Sequence, residues 1–327
     1  MSENVHDITR LKELQALPLE RKILITQSRI IEWYQRYQGQ VYVSFSGGKD
    51  STVLLDIARK CFPDIPAVFC DTGLEYPEIR EFVKTVDNVT IIRPKKNFKQ
   101  VILEHGYPVA SKEISRKIHY ARKGSSWALK YTNGEALDSN GKPSRYGISK
   151  RWLKLIDAPF EVHDYCCYVI KKQPFAQYYK ETKRRPIVAT MAIESNLRTQ
   201  SWLKNGCNSF DGKKPMSKPM SFWTEQDVLQ YLKKFSIPYA SIYGEIIEEK
   251  SIIYGEIIEE KSILTTSKCK RTGCMFCMFG CHLELEPNRF QKMKETHPKQ
   301  YDFMLKPVSN GGLGMKEVLD YIEVPYE

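Results

Sequence analysis

Ser44-Phe45-Ser46-Gly47-Gly48-Lys49-Asp50-Ser51 follows an apolar run, Val41-Tyr42-Val43, and leads into Thr52-Val53-Leu54-Leu55-Asp56-Ile57-Ala58, which carries helical apolar spacing. A strand turning through two glycines into a helix aims several backbone N–H groups at one point. That point is also the positive end of the helix dipole, so the turn is an anion site. Gly47 and Gly48 let the chain take unusual φ values and let a phosphate approach the backbone closely. Ser46 and Ser51 add hydroxyl donors and Lys49 adds a charge. The spacing differs from the Gly-x-x-x-x-Gly-Lys-Ser/Thr of a Walker A loop.

Working outward, a second buried-strand run, Ala67-Val68-Phe69-Cys70, closes on Asp71-Thr72-Gly73-Leu74-Glu75-Tyr76-Pro77-Glu78. A helix opened by the proline would leave Asp71 and Thr72 at the carboxyl edge of the sheet, where open α/β folds bind ligands. Strand–helix units are predicted over 41–60, 66–86 and 89–105, and a basic helix over 111–122. Residues 123–150 read as a loop or hairpin, and 187–190 (Ile-Val-Ala-Thr) as a further strand that puts Glu194, Ser195 and Arg198 at its carboxyl end. Thr224-Glu225-Gln226-Asp227 has capping-box character and opens a helix to Phe235. Such alternation predicts an α/β fold with a doubly wound, Rossmann-like parallel sheet. The expected organisation is N-terminal helices over 1–39, a nucleotide-binding domain over 40–236 and a Cys-rich C-terminal appendage over 237–327.

Composition narrows the class. With 327 residues, 42% hydrophobic and 27% charged, the chain can bury a sizeable core. No apolar run approaches ~18 residues, so no membrane span is expected. The stretch Met1–Asp7 has neither a basic nor a hydrophobic region of a secretion signal, which predicts a cytoplasmic protein. In that compartment nine cysteines argue for metal or redox work rather than disulfides. The net charge of +11 gathers at Lys171-Lys172, Lys180, Lys183-Arg184-Arg185, Lys213-Lys214, Lys218, Lys268, Lys270 and Arg271, with Tyr178, Tyr179, Trp202, Phe210 and Trp223 nearby. That field suits nucleotide phosphates and a nucleic-acid backbone, and equally a solvated basic surface.

Four motifs in order carry a resemblance: the Ser-Gly-Gly-Lys-Asp-Ser loop, Asp71-Thr72-Gly73, Cys166-Cys167-x-x-x-Lys171-x-x-Pro174, and Ser195 with Arg198. Over roughly residues 40–235 the chain resembles the phosphoadenosine phosphosulfate reductase family of the adenine nucleotide alpha hydrolase (PP-loop) superfamily. Members split a nucleotide between its α and β phosphates, or bind one with sulfate in the leaving position. The resemblance implies that ATP with Mg²⁺, or a sulfonucleotide (PAPS or APS), sits on Ser44, Ser46, Gly47, Gly48, Lys49, Asp50 and Ser51. Asp71, Thr72 and Gly73 would face the adenosine, and Ser195 and Arg198 the phosphate or sulfate. Lys49, Asp50 and Arg198 are the implied catalytic groups.

Cys269-x4-Cys274-x2-Cys277-x3-Cys281 lies among Met275, Phe276, Met278 and Phe279, apolar neighbours that would shield a metal centre. Four thiolates hold either Zn²⁺ or an iron–sulfur cluster. In the iron–sulfur members an adjacent Cys pair joins a later Cys-x-x-Cys, which nominates Cys166, Cys167, Cys274 and Cys277 for a [4Fe–4S] cluster. A self-contained set of Cys269, Cys274, Cys277 and Cys281, resembling the cluster of DNA-phosphorothioation sulfur transferases, competes with it, and Cys207 is a substitute ligand. Cys61 and Cys70 read as packing residues.

The reductases attack sulfur with a cysteine in a C-terminal Glu-Cys-Gly-x-x-His segment, and this chain has none after Cys281. The leading expectation is therefore ATP-dependent adenylation and sulfur transfer onto an acceptor such as tRNA or DNA, with a sulfur-donor protein as partner. Sulfonucleotide reduction and non-catalytic nucleotide sensing are the other readings. Finally, residues 242–252 recur unchanged as 253–263, which reads as a duplication in a surface connection.

Overall fold

The computed structural model describes residues 6–144, 146–211, 214–253 and 259–327. Two helices come first, α1 (Ile8–Gln15) and α2 (Leu19–Arg36), then β1 (Val41–Ser44), α3 (Lys49–Cys61), β2 (Ala67–Cys70), α4 (Pro77–Lys84), β3 (Val89–Ile92) and α5 (Phe98–His105). The middle of the chain forms β4 (Val109–Ala110), α6 (Lys112–Arg122), α7 (Ser126–Thr132), α8 (Lys150–Leu153), α9 (Gln173–Thr182), β5 (Arg185–Val188) and α10 (Asn196–Asn205). There follow β6 (Asn208–Ser209), β7 (Met216–Ser217), α11 (Glu225–Phe235), β8 (Ile246–Ile253), β9 (Glu259–Thr266) and β10 (Met278–Phe279). The last helices are α12 (Arg289–Thr296), α13 (Pro298–Leu305) and α14 (Met315–Tyr321). The chain folds as two compact units, each discontinuous in sequence: Met1–Asp71, Glu75–Arg93 and Phe175–Gly273 form the first, and Thr72–Leu74, Pro94–Pro174 and Cys274–Glu327 the second. Each draws segments from more than one of the spans 1–39, 40–236 and 237–327.

The first unit holds a six-stranded sheet in the order β3-β2-β1-β5-β7-β6, parallel except where β6 meets β7. Its strands alternate, as a pleat requires. Val41, Val43, Ala67, Phe69 and Ile187 point to one face and join the core with Ile30, Trp33, Leu54, Ile57, Val228 and Tyr231 from α2, α3 and α11. Tyr42 and Val68 point to the other face and pack with Phe175 and Tyr178 of α9. Helices on both faces make the sheet doubly wound. A buried pair, Lys22 Nζ to Asp227 Oδ2 at 2.6 Å, ties α2 to α11, and Asp227 also closes the expected capping box on Thr224.

From β1 the chain runs outward through β2 and β3 and returns to β5 on the other side of β1. This reversal is the switch point where open α/β sheets bind ligands, beyond the strands' carboxyl ends. The register Ser44↔Val188 brings the loop after β1 and the segment after β5 to that edge together.

The duplicated stretch forms a regular element. The two copies supply the strands of an antiparallel hairpin, with Ile246 opposite Thr266 and Lys250 opposite Ser262. Gln226 of α11 grips its second strand through the carbonyl and N–H of Leu264, at 2.7 and 2.8 Å. Residues 254–258 of the repeat, and Lys213 of the basic clusters, lie outside the described residues. The stretch expected as loop or hairpin after Arg122 contains helix α7. The second unit includes a short parallel pairing of β4 with β10 and a π-helical turn over Tyr168–Lys172, directly after Cys166-Cys167.

Candidate active site

The loop after β1 is built as its glycines require. Gly47 has φ +70°, and a Cβ there would lie 2.7 Å from Cγ2 of Ile79 and 2.8 Å from Cγ2 of Val83, so α4 closes directly against it. Gly48 caps α3 with extended geometry and lacks a side-chain cap bond. The serines brace the turn: Ser51 Oγ donates to the Gly48 carbonyl at 2.9 Å, accepts the Ser46 N–H at 3.1 Å and lies 2.9 Å from Ser46 Oγ, which accepts the Gly48 N–H at 3.3 Å. These two hydroxyls shape the loop from within.

Charge concentrates at the start of α3. Lys49 is buried, and its Nζ donates to the Lys270 carbonyl at 2.7 Å and pairs with Glu225 Oε1 at 3.0 Å. Burial pushes the Asp50 carboxyl above the usual carboxylate range. The charges of Lys49, Arg271 and Arg198 pull it back, and that of Glu225 adds to the rise. Asp50 Oδ1 is buried and has no hydrogen-bond partner. From the segment after β5, Glu194 pairs with Arg198 and, at 2.5 Å, with Arg271 Nη2. Burial and the neighbouring Arg271 lower the pKa of Arg198, while Asp50 raises it. Ser195 is the N-cap of α10, its Oγ accepting the Arg198 N–H. The structure thus brings Lys49, Asp50, Ser195 and Arg198 to one sheet edge. An orphaned carboxylate oxygen among phosphate-seeking cations suits a divalent cation carried in with a nucleotide.

Asp71 directly follows β2, with Oδ2 3.2 Å from both Arg80 Nη2 and Arg93 Nε and with Oδ1 buried and unpartnered. Thr72 Oγ1 accepts the Leu74 N–H at 3.2 Å, and Gly73 takes φ +74° with open space beside it.

Several site groups escaped the sequence reading. Tyr243, at the head of the first repeat copy, places its hydroxyl 3.3 Å from the Lys49 N–H and 2.8 Å from Thr272 Oγ1. Burial pushes the Tyr243 phenol up to about 12. Glu225, Thr272 and Thr190, whose Oγ1 is buried without a partner, also carried no recognisable spacing signal.

The thiols divide between the units. Cys269 belongs to the first, its Sγ donating to the Arg271 carbonyl at 3.0 Å. Cys207 also lies there, burial pushing its thiol up, beside Ser221. Cys166, Cys167, Cys274, Cys277 and Cys281 belong to the second. A hydrogen bond to Cys167, then burial and the charges of Cys167, Cys277 and Cys274, push the Cys166 thiol far up. Through the same bond Cys167 falls to about 6, burial opposing and Lys112 and Lys171 assisting. The Cys277 N–H closes a turn on the Cys274 carbonyl at 3.1 Å, and Arg289 Nη1 donates to the Cys277 carbonyl at 2.9 Å. Cys281 is buried, donates to the Met278 carbonyl at 3.0 Å and is pushed up to about 12 by burial. Among the described residues no three His, Cys, Asp or Glu side chains are already gathered at metal-ligand distance. The donor chemistry of Cys166, Cys167, Cys274 and Cys277 fits a thiophilic cationic centre, which would reverse the mutual penalty on their ionisation.

A Gly-Gly turn at the switch point of a doubly wound sheet, with cations converging on it, defines a nucleotide-loop protein of the PP-loop class. The sequence matches the phosphoadenosine phosphosulfate reductase domain over residues 40–137 and 143–279, and the chain belongs to that family. It is 25% identical to the adenosine 5'-phosphosulfate reductase of Staphylococcus haemolyticus over 66% of this chain and 70% of that protein. Identity to the phosphoadenosine 5'-phosphosulfate reductase of Proteus mirabilis is 24%, over 69% and 73%. An uncharacterized Methanocaldococcus jannaschii protein is 31% identical over 110 residues, and the match spans only 27% of its length. A phosphate complex of the Candida auris PAPS reductase aligns at 14% identity with a TM-score of 0.39, covering 73% of this chain and 92% of that one. No helix among the described residues is long and apolar enough to cross a membrane.

Proposed function

We propose that this chain binds ATP at Ser44–Ser51, adenylates an acceptor with release of pyrophosphate, and serves sulfur transfer onto a nucleic acid. In the first step an acceptor oxygen attacks the α-phosphorus, the bond to the bridging oxygen breaks and pyrophosphate leaves. A sulfide-level nucleophile from the sulfur donor then attacks the activated atom of the acceptor, the bond from that atom to the AMP oxygen breaks and AMP leaves, with no net oxidation or reduction. The observation that carries this reading is Asp50, whose buried carboxylate oxygen lacks a partner while Lys49, Arg198 and Arg271 surround it with positive charge. The N–H groups opening α3 and Gly47–Gly48 would hold the phosphates. Lys49 would balance charge growing on the leaving group, and Arg198, released from Glu194, would grip a phosphate oxygen pair. Cys166, Cys167, Cys274 and Cys277 would hold a [4Fe–4S] cluster, which supplies sulfur or electron chemistry when bound.

Sulfonucleotide reduction is the second reading, favoured by the activities that the Staphylococcus haemolyticus and Proteus mirabilis relatives are named for. Products separate the two. Anaerobically purified protein given ATP and candidate acceptors should release pyrophosphate. Sulfite released from phosphoadenosine phosphosulfate, with no pyrophosphate from ATP, would replace the first reading with the second.

A further inference from the structure

The second unit carries an unbroken series of aromatic rings. Tyr131 lies 6.1 Å from Trp127, Trp127 5.7 Å from Tyr120, and Tyr120 6.1 Å from His163, between ring centroids. His163 lies 5.4 Å from Tyr165, which lies 5.0 Å from Tyr168. Three of these rings are solvent-facing: Tyr120 is 40% exposed, Trp127 42% and Tyr168 43%. Aromatic rings left in water at this density need a reason, since packing would otherwise cover them.

The cations beside them point to the partner. Helices α6 and α7 and the turn between them carry Lys112, Arg116, Lys117, Arg122, Lys123 and Lys130 against Glu113 alone. Lys117 is buried and its Nζ lies 3.8 Å from the Tyr131 ring centroid. Arg116 is paired with Asp164 at 2.5 Å, and Arg122 with Glu161 at 3.4 Å and the Phe160 carbonyl at 2.7 Å, so the cations left to meet a polyanion are the exposed lysines. Lys112, Lys123 and Lys130 are exposed. Rings that offer π-faces beside the exposed cations Lys112, Lys123 and Lys130 suit a polyanion whose bases are unstacked.

We infer that the face carrying Tyr131, Trp127 and Tyr120 is a binding surface for single-stranded nucleic acid. Bases stack on Trp127 and Tyr120 while Lys123 and Lys130 meet the phosphates. A duplex hides the base faces this surface needs, so the surface selects single-stranded segments, including loops of a folded RNA. The inference rests on the reading of a nucleic-acid acceptor and assigns its docking site.

The test uses the full chain and fluorescein-labelled oligonucleotides, single-stranded RNA, single-stranded DNA and a duplex of the same sequence, read by anisotropy across a salt series. Trp127→Ala with Tyr120→Ala should weaken single-strand binding by about tenfold or more, the scale of one or two missing base stacks. Lys123→Glu with Lys130→Glu should flatten the salt dependence, by roughly 0.7 in the log–log slope for each phosphate no longer neutralised. Both rings are exposed, so circular dichroism and ATP affinity should stay at wild-type values. Wild-type binding that survives both double variants, or binding to the duplex alone, overturns this surface while leaving the nucleic-acid reading in place. Binding to none of the three probes overturns both, and redirects the exposed rings to a protein partner.

Discussion

The hydroxyl of Tyr243 accepts the backbone N–H of Lys49 at 3.3 Å. That amide opens α3 and is one of the donors an incoming phosphate would use. The phenol therefore occupies part of the anion site, held there by Thr272 Oγ1 at 2.8 Å. Tyr243→Phe should free the amide and tighten ATP binding by roughly threefold to tenfold, the value of one hydrogen bond. Calorimetry checks it, and weaker binding would recast Tyr243 as a phosphate ligand instead.

The two loop glycines should fail differently. Gly47 combines φ +70° with a Cβ position 2.7 Å from Ile79, so Gly47→Ala should destabilise the fold by about 2 kcal/mol or more. A Cβ on Gly48 would meet Tyr243 Oη at 3.2 Å and Ser46 Oγ at 3.3 Å, both on side chains rather than backbone. Gly48→Val should keep the melting temperature near wild type and abolish nucleotide binding by blocking approach to the backbone. Unchanged calorimetric affinity in Gly48→Val would dismiss the loop as the phosphate site.

Asp50 should cost stability while serving function. Its folded pKa is raised by burial, so the native state holds its proton more tightly than the unfolded chain. The associated stability is present below the unfolded pKa and is lost as pH rises through the folded one. Asp50→Asn should accordingly raise the melting temperature at pH 7, with the gain vanishing in acid, and should impair pyrophosphate release. A melting temperature that falls at pH 7 refutes the account.

Iron content decides between the thiol sets. Protein purified without oxygen should be brown, with about four irons and four sulfides per chain. Cys166→Ser should lose the iron, because Cys166 sits in one electrostatic neighbourhood with Cys167, Cys274 and Cys277. Cys269→Ser and Cys281→Ser should retain it, their thiols being bonded to the Arg271 and Met278 carbonyls. Colourless protein with one zinc, or iron lost from Cys281→Ser, would redraw the site.

Local chemistry was legible in the sequence. The Gly-Gly turn, the capping residue Thr224 and the strand–helix alternation each depend on neighbours within a few positions, where propensity and capping act. They determined the α/β class, the sheet edge and the placement of Lys49, Asp50 and Arg198 along that edge. The tandem repeat was visible as a repeat, yet the docking of its hairpin through Gln226 and Leu264, 38 positions apart, was not. Only the tertiary structure seated Tyr243 on the Lys49 amide, across a separation of 194 residues. It alone assigned Cys269 and Cys274 to different units and gathered Trp127, His163 and Tyr168 into one series of rings. Such contacts follow from the packing of distant segments against a shared core, and no spacing in the chain encodes them.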